Sequence, residues 1–224
     1  SAILDRVTAA TQSVLAGRAA YERDSCLFSE PEVDPILMQE IEWVAARGGP
    51  EPLVVLDFGG SLGSTYHQHR NFLPRNRAIR WHIVEQPHFV ARGRERFETG
   101  DLRFFASIDE AVSAGQPALV VASSVLCYLE SPWNLLERLS ALPAAAWFVS
   151  RTAFVAGPSD LLFVQHVPPS IYPGSYPLWA LSEPRFEEHW RRLGAGVTWQ
   201  PTPEGAAGAG ENGFRFKTAV VRRG

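Results

Sequence analysis

The stretch Leu53-Val-Val-Leu-Asp-Phe-Gly-Gly-Ser-Leu-Gly63 limits what this chain can become more than any other. Its first four residues are apolar without alternation, the pattern of a short strand buried on both faces. Asp57 closes that strand. Gly59, Gly60 and Gly63 then make a turn into a segment that reads as helical. Glycine lets the backbone bend tightly and approach a ligand closely, and a helix N-terminus presents free N–H groups. The shape is that of a nucleotide-binding first βα turn, although a glycine turn alone also fits a plain reversal of the chain.

The segments on either side extend this pattern. Residues 1–24 carry apolar positions at helical spacing, and Asp34-Pro35 opens a second helix that stops at Gly48-Gly49-Pro50. About fifty residues of helix are thus expected before the central strand, either as packing or as a lid. Tyr21, Cys26, Leu27 and Phe28 form an apolar linker within them and favour the lid. After the glycine turn, strands are expected at Trp81–Glu85, Leu102–Phe105, Ala118–Ser123 and Ala146–Ser150, separated by helices from Thr65, Pro87, Asp109 and Pro132. That alternation predicts an α/β fold with a mainly parallel sheet covered on both faces. Residues 152–183 break the rhythm and read as a long irregular insertion rich in Pro, Tyr and Ser. A helix from Pro184 and an antiparallel pair, Gly196–Gln200 with Phe214–Val221, close the chain, with a Gly- and Ala-rich loop over 204–213.

Composition narrows the function classes. With 224 residues, a net charge of −3 and no basic run, the chain is not built to hold nucleic-acid phosphates. No segment reads as a membrane span or signal peptide, so a cytoplasmic setting is expected. Cys26 and Cys127 make no metal spacing and leave one disulfide open. The six histidines are scattered, and His67-x-His69 without a third ligand is a weak metal signal, so no metal is expected.

Two acids stand at the ends of successive strands. Asp57 can accept hydrogen bonds from a cofactor amine or through water. Glu85 has the two acceptor oxygens needed for both hydroxyls of a ribose. Glu85 follows Asp57 by 28 residues, longer than the ~20 typical of dinucleotide folds. That spacing, with the spacing of the three glycines, ranks a nicotinamide dehydrogenase low.

Four motifs in order carry a resemblance: Leu56-Asp57-Phe-Gly59-Gly60-Ser-Leu-Gly63, Val84-Glu85-Gln86, Ser107-Ile108-Asp109, and Ser123-Ser124-Val-Leu-Cys-Tyr128-Leu-Glu-Ser-Pro132. Together they resemble the class I S-adenosylmethionine (SAM)-dependent methyltransferases. The resemblance implies a Rossmann-like, mostly parallel seven-stranded sheet in the order 3-2-1-4-5-7-6, with the last strand antiparallel. With the helical N-terminal lid expected over residues 1–50, the resemblance implies a SAM-binding domain over 51–224. By the same resemblance Gly59, Gly60 and Gly63 line the methionine part of the cofactor and Glu85 holds the ribose, with Asp57 beside the turn as a further cofactor contact. Gln86 and Ile108 sandwich the adenine with Ser107 near its edge, and Ser123 and Ser124 complete the cofactor set.

One departure bears on the reaction. Many small-molecule methyltransferases have His where this chain has Tyr128, and a phenol, with an unperturbed pKa near ~10, is a poor base at neutral pH. No Asp-Pro-Pro-Tyr-like amide-methylating motif is present. The motifs Asp57-Phe-Gly-Gly-Ser-Leu-Gly63, Trp81-x-Ile-Val-Glu85-Gln86 and Val167-Pro-Pro-Ser-Ile-Tyr172-Pro-x-Ser-Tyr176-Pro are similar to a smaller methyltransferase-like group. That group includes enzymes of nonribosomal-peptide clusters that cyclise SAM to azetidine-2-carboxylate. The resemblance implies a small-molecule substrate and a site of aromatic faces around the sulfonium. Tyr128, Asn134, Tyr172 and Tyr176 are the catalytic candidates. Trp133 and Trp179 fit a core role better, and Arg151 and His166 suit either a carboxylate contact or a structural one. Methyl transfer to a small acceptor and SAM binding without turnover remain the alternatives.

Overall fold

The computed structural model describes residues 2–49, 52–167, 174–201 and 213–224. The chain divides into two compact units, one ending at Val120 and the other beginning at Val121. In the first, α1 (Ala2–Leu15) buries Leu4, Val7, Ala10 and Val14, the residues whose spacing stacks them on one helical face. Helix α2 (Pro35–Ala46) starts where the sequence says it should. The Asp34 carboxylate accepts the N–H groups of Ile36 and Leu37 at 2.9 and 3.1 Å, and Pro35 takes the first turn, where its missing N–H costs nothing.

The apolar linker expected between these two helices is itself folded, and α1 ends at Leu15 although helical spacing was expected to residue 24. Strands β1 (Tyr21–Arg23) and β2 (Cys26–Phe28) form a hairpin whose two central residues, Asp24 and Ser25, both have positive φ. Tyr21 stacks on its cross-strand partner Phe28 with ring centroids 4.5 Å apart.

The strands β3 (Leu53–Phe58), β4 (Ile79–Val84) and β5 (Leu102–Phe105) run parallel in the order β5-β4-β3. Between them lie α3 (Ser64–His69) and α4 (Pro87–Arg96), and α5 (Ile108–Ala114) follows. β6 (Leu119–Ser123) starts beside β3, since the Ala118 N–H bonds the Val54 carbonyl at 2.9 Å. Val55, Leu56, Trp81 and Ile83 are fully enclosed, which explains the unbroken apolar runs.

The second unit continues from the end of β6 through a 3-10 turn (Leu126–Tyr128), α6 (Pro132–Ser140), β7 (Ala146–Val155), β8 (Leu161–Val167), β9 (Gly174–Ser182), α7 (Glu183–Arg192), β10 (Ala195–Pro201) and β11 (Arg215–Arg223). Its strand order is β6-β7-β11-β10, with β11 antiparallel to both β7 and β10. The expected order 3-2-1-4 is thus found in the first unit and 4-5-7-6 in the second. Trp147, Phe154, Phe186 and Trp190 fill the core here, with Trp147 and Trp190 4.8 Å apart and Phe154 and Phe186 5.2 Å apart.

The irregular insertion expected over 152–183 is the second correction. β7 runs on to Val155 past a bulge at Arg151 (φ 50°), and β8 and β9 pair antiparallel, Leu161 opposite Ala180 through Val167 opposite Gly174. Cys26 is exposed and Cys127 buried, both as free thiols, so the disulfide left open by the sequence is not formed. None of the described helices is long and apolar enough to cross a membrane.

Candidate functional site

The turn after β3 is built around the Asp57 carboxylate. Asp57 is 1% exposed, and the Trp81 indole on β4 donates its N–H to Oδ2 at 2.9 Å. Burial pushes Asp57 up to about 7 against that hydrogen bond, with a further push from the negative charge of Glu85. Gly60 lies against the carboxylate, where a Cβ would stand 2.6 Å from Oδ2. The Gly59 N–H bonds the Val84 carbonyl at 2.9 Å and ties the turn to β4. Gly63 then enters α3 at φ 95°, a backbone region that disfavours any side chain.

Glu85 is the first residue after β4. Its N–H bonds the Phe105 carbonyl at 3.1 Å and its own Oε2 accepts the Gln86 N–H at 2.6 Å. Burial raises its pKa, opposed by the backbone N–H groups of Gln86 and Ser61 and by His88. Ser61 belongs to the glycine turn, so the ribose candidate and the turn adjoin. Gln86 is exposed at the start of α4. Ser107 caps α5, its hydroxyl accepting the Glu110 N–H at 3.1 Å, and Ile108 behind it is buried. Asp57 with the glycines, Glu85 with Gln86, and Ser107 with Ile108 therefore occupy the carboxyl ends of three adjacent parallel strands. In open α/β sheets that is where ligands bind.

The remaining candidates lie in the second unit. Ser123 ends β6 and accepts a hydrogen bond from the Ser150 hydroxyl at 2.9 Å. Ser124 has φ 56° and donates its N–H to the Ser150 carbonyl at 3.0 Å. A non-glycine residue held in that region is the kind of local strain that collects at functional sites. Tyr128 and Tyr176 meet edge to face, ring centroids 5.4 Å apart at 80°, and the Tyr128 hydroxyl donates to Gln165 Oε1 at 3.2 Å. Asn134 is exposed in the first turn of α6, outside that pair. Tyr172 lies outside the described residues. Arg151 sits at the β7 bulge and His166 is exposed on β8. Trp133 is half-buried, its N–H bonded to Asp160 at 2.7 Å and the Arg185 guanidinium 4.6 Å from its ring centre.

Three polar residues of these surroundings escaped the sequence reading. Trp81 was legible in principle, because an indole N–H in the middle of a buried strand needs an acceptor. Gln165 and Glu22 gave no signal. Glu22 is 3% exposed, accepts the Ser64 hydroxyl and the Ser25 N–H, and has its pKa raised by burial. His69 is occupied within the fold: Nδ1 bonds the Thr65 carbonyl at 2.8 Å and Nε2 accepts the Asp34 N–H at 3.0 Å. Among the described residues no group of three or more His, Cys, Asp or Glu is placed to hold a metal ion.

No protein-family profile matches the chain, and no curated protein does. Solved structures do match it. The N-terminal domain of EvdMO1 with SAH bound is 14% identical over 96% of this chain and 97% of its own, with a TM-score of 0.51. The glycopeptide N-methyltransferase MtfA complexed with SAM is 14% identical over 84% of this chain and 94% of its own, with a TM-score of 0.51. Magnesium protoporphyrin IX methyltransferase (ChlM) from Synechocystis PCC 6803 with bound SAM is 13% identical over 98% and 97%, with a TM-score of 0.50. At such identities the likeness is one of architecture. The chain has the Rossmann-like fold of class I methyltransferases.

Proposed function

We propose that this protein is a SAM-dependent enzyme, and that its reaction is the intramolecular cyclisation of SAM to azetidine-2-carboxylate. The observation that carries SAM use is the alignment of Asp57, Gly60 and Glu85 at neighbouring strand ends, with Gly60 kept bare by the carboxylate beside it. In this reading Glu85 holds the ribose hydroxyls and the glycine turn admits the methionine moiety. Gln86 and Ile108 flank the adenine. Residues 1–50 act as a lid anchored on α3 through Glu22–Ser64, Asp34–His69 and the Gln68 amide on the Glu32 carbonyl.

The preference for cyclisation rests on the Tyr128–Tyr176 pair at the segment after β6. Aromatic faces favour a sulfonium and exclude water. The thiol of neighbouring Cys127, pushed up to about 11 by burial, is unsuited to act as a base. Cyclisation needs no protein base once the α-ammonium has lost its proton, which a free α-amino group does near pH 7.7–8.0. The nitrogen lone pair forms the bond to the γ-carbon, and the C–S pair leaves with sulfur as 5′-methylthioadenosine. The protein's part is to fold the chain so that nitrogen lies in line behind that carbon. Methyl transfer to a small acceptor is the second reading, favoured by the methyltransferases among the structural matches.

Mass spectrometry of the protein incubated with SAM alone separates the two. Methylthioadenosine together with a four-carbon cyclic amino acid, above the spontaneous background, is the expected result. Intact SAM that is consumed only when an acceptor is supplied contradicts cyclisation and leaves methyl transfer. Tyr176→Leu, which removes the aromatic face, is expected to slow turnover about tenfold or more while changing SAM affinity little. Equal losses in both remove Tyr176 from the mechanism.

A further inference from the structure

Strand β1 buries a carboxylate beside the glycine turn. Glu22 is 3% exposed, and its partners among the described residues are neutral: the Ser64 hydroxyl donates to Oε1 and the Ser25 N–H to Oε2 at 3.1 Å. A carboxylate that leaves water ordinarily takes a cation with it. Asp160 has Arg185, and Glu183 has the Lys217 ammonium at 2.7 Å. No cation pairs with Glu22 among the described residues. The hairpin turn is bent to hold the carboxylate there. Asp24 and Ser25 have φ 52° and 67°, a region that is costly for residues with side chains, and it is Ser25 whose N–H bonds Glu22. Ser64 directly follows Gly63 and is half-buried. With its proton given to Glu22, its oxygen keeps lone pairs for an incoming N–H.

We propose that Ser64 and Glu22 form an ammonium subsite beside the glycine turn, in which the Ser64 oxygen accepts an N–H of the ligand's primary ammonium group and Glu22, acting through Ser64, is the positioning residue that supplies the countercharge. The inference rests on the SAM reading above and assigns to this pair the α-amino end of the methionine moiety. Asp57, the other enclosed acid of this turn, is already bonded by Trp81 and packed against Gly60. Ser64 and Glu22 both belong to the first unit, as does the glycine turn, so the subsite is complete within it. Burial raises the Glu22 carboxyl, against its hydrogen bonds from Ser64 and Ser25, and so makes it a better proton acceptor. For cyclisation the same pair therefore receives the proton that the α-ammonium must lose. That proton passes to the Ser64 oxygen as the Ser64 proton passes to Glu22, and the nitrogen lone pair is left free to attack.

Calorimetry with three thioethers tests it. S-adenosylhomocysteine carries an ammonium and a carboxylate, its decarboxylated amine carries the ammonium alone, and 5′-methylthioadenosine carries neither. Glu22→Gln and Ser64→Ala are each expected to weaken the first two about tenfold, the value of one charge-assisted hydrogen bond, and to leave 5′-methylthioadenosine unchanged. Ser64→Thr, which restores the hydroxyl, should bind all three as the wild type does. Glu22→Gln should also melt no lower than the wild type without ligand. Glutamine can accept the Ser25 N–H and donate to Ser64, and it removes a buried charge that has no cation. A marked fall in that melting temperature would make Glu22 a structural anchor and contradict the subsite. Equal losses for all three ligands, a loss confined to S-adenosylhomocysteine, or no loss overturns it. Failure of the wild type to bind any of the three overturns the SAM reading itself, and the subsite with it.

Discussion

Gly60 and Asp57 show how little room the chain leaves at its central turn. A methyl group on Gly60 would meet the Asp57 carboxylate at 2.6 Å, and that carboxylate is fixed by Trp81. Gly60→Ala should therefore lower stability by about 1–3 kcal/mol in a urea titration, the usual cost of overpacking. Asp57→Ala in the same chain should recover part of the loss; no recovery would place the clash elsewhere. Asp57 also gives stability a pH dependence. Its pKa rises from 3.8 in the unfolded chain to about 7 in the fold. A raised acid contributes stability that is fully present below pH 3.8 and is lost as pH climbs through 7. The gap corresponds to ~4 kcal/mol. The stability of the wild type relative to Asp57→Asn should thus fall between about pH 4 and pH 8 by an amount of that order, and a flat difference across the window would refute the buried-acid account. At this scale the sequence showed the glycines and both acids, because their spacing is local. It could not show that Trp81, 24 residues away, holds Asp57, since that pairing exists only once β3 and β4 align.

Elements divide by whether their signals are local. Helix α2 was readable because Asp34-Pro35 is a complete start signal, and Asp34→Ala should cost about 1 kcal/mol in thermal or urea unfolding. A loss of nothing would mean that His69, which accepts the Asp34 N–H, holds this helix start on its own. The β1–β2 hairpin was misread because each strand has three residues and its turn uses Asp24-Ser25 where the favoured positive-φ pair is Asn-Gly. The β8–β9 hairpin was misread because Pro177 argues against a strand interior. Pro177 is tolerated because β9 pairs with β7 only at Leu181 and Ser182, so the missing N–H interrupts no ladder on that side. That hairpin brings Gln165 and Tyr176 to Tyr128. The error about the element was thus also the reason Gln165 was missed.

For the whole molecule, the α/β alternation was legible from apolar runs separated by helix signals, whereas the strand order was implied only by the resemblance, and the structure has both within its units. The candidate residues were legible to the extent that they hang on strand ends: Glu85 follows from where β4 stops, whereas Gln86, Ser107 and Ile108 were implied by the resemblance and lie just past β4 and β5. The tyrosines depend on a long-range hairpin, and sequence alone offered residue types without their arrangement. The claim that joins these scales is that SAM binds at the ends of β3, β4 and β5 with Glu85 on its ribose. Isothermal titration calorimetry of the protein with SAM, beside Glu85→Ala and an exposed control, Glu95→Gln on α4, addresses it directly. We expect 1:1 binding that weakens by about ten- to a hundredfold in Glu85→Ala, the value of a hydrogen-bonded carboxylate, and is unchanged in Glu95→Gln. Absence of binding to the wild type, or equal affinity in Glu85→Ala, would contradict the account.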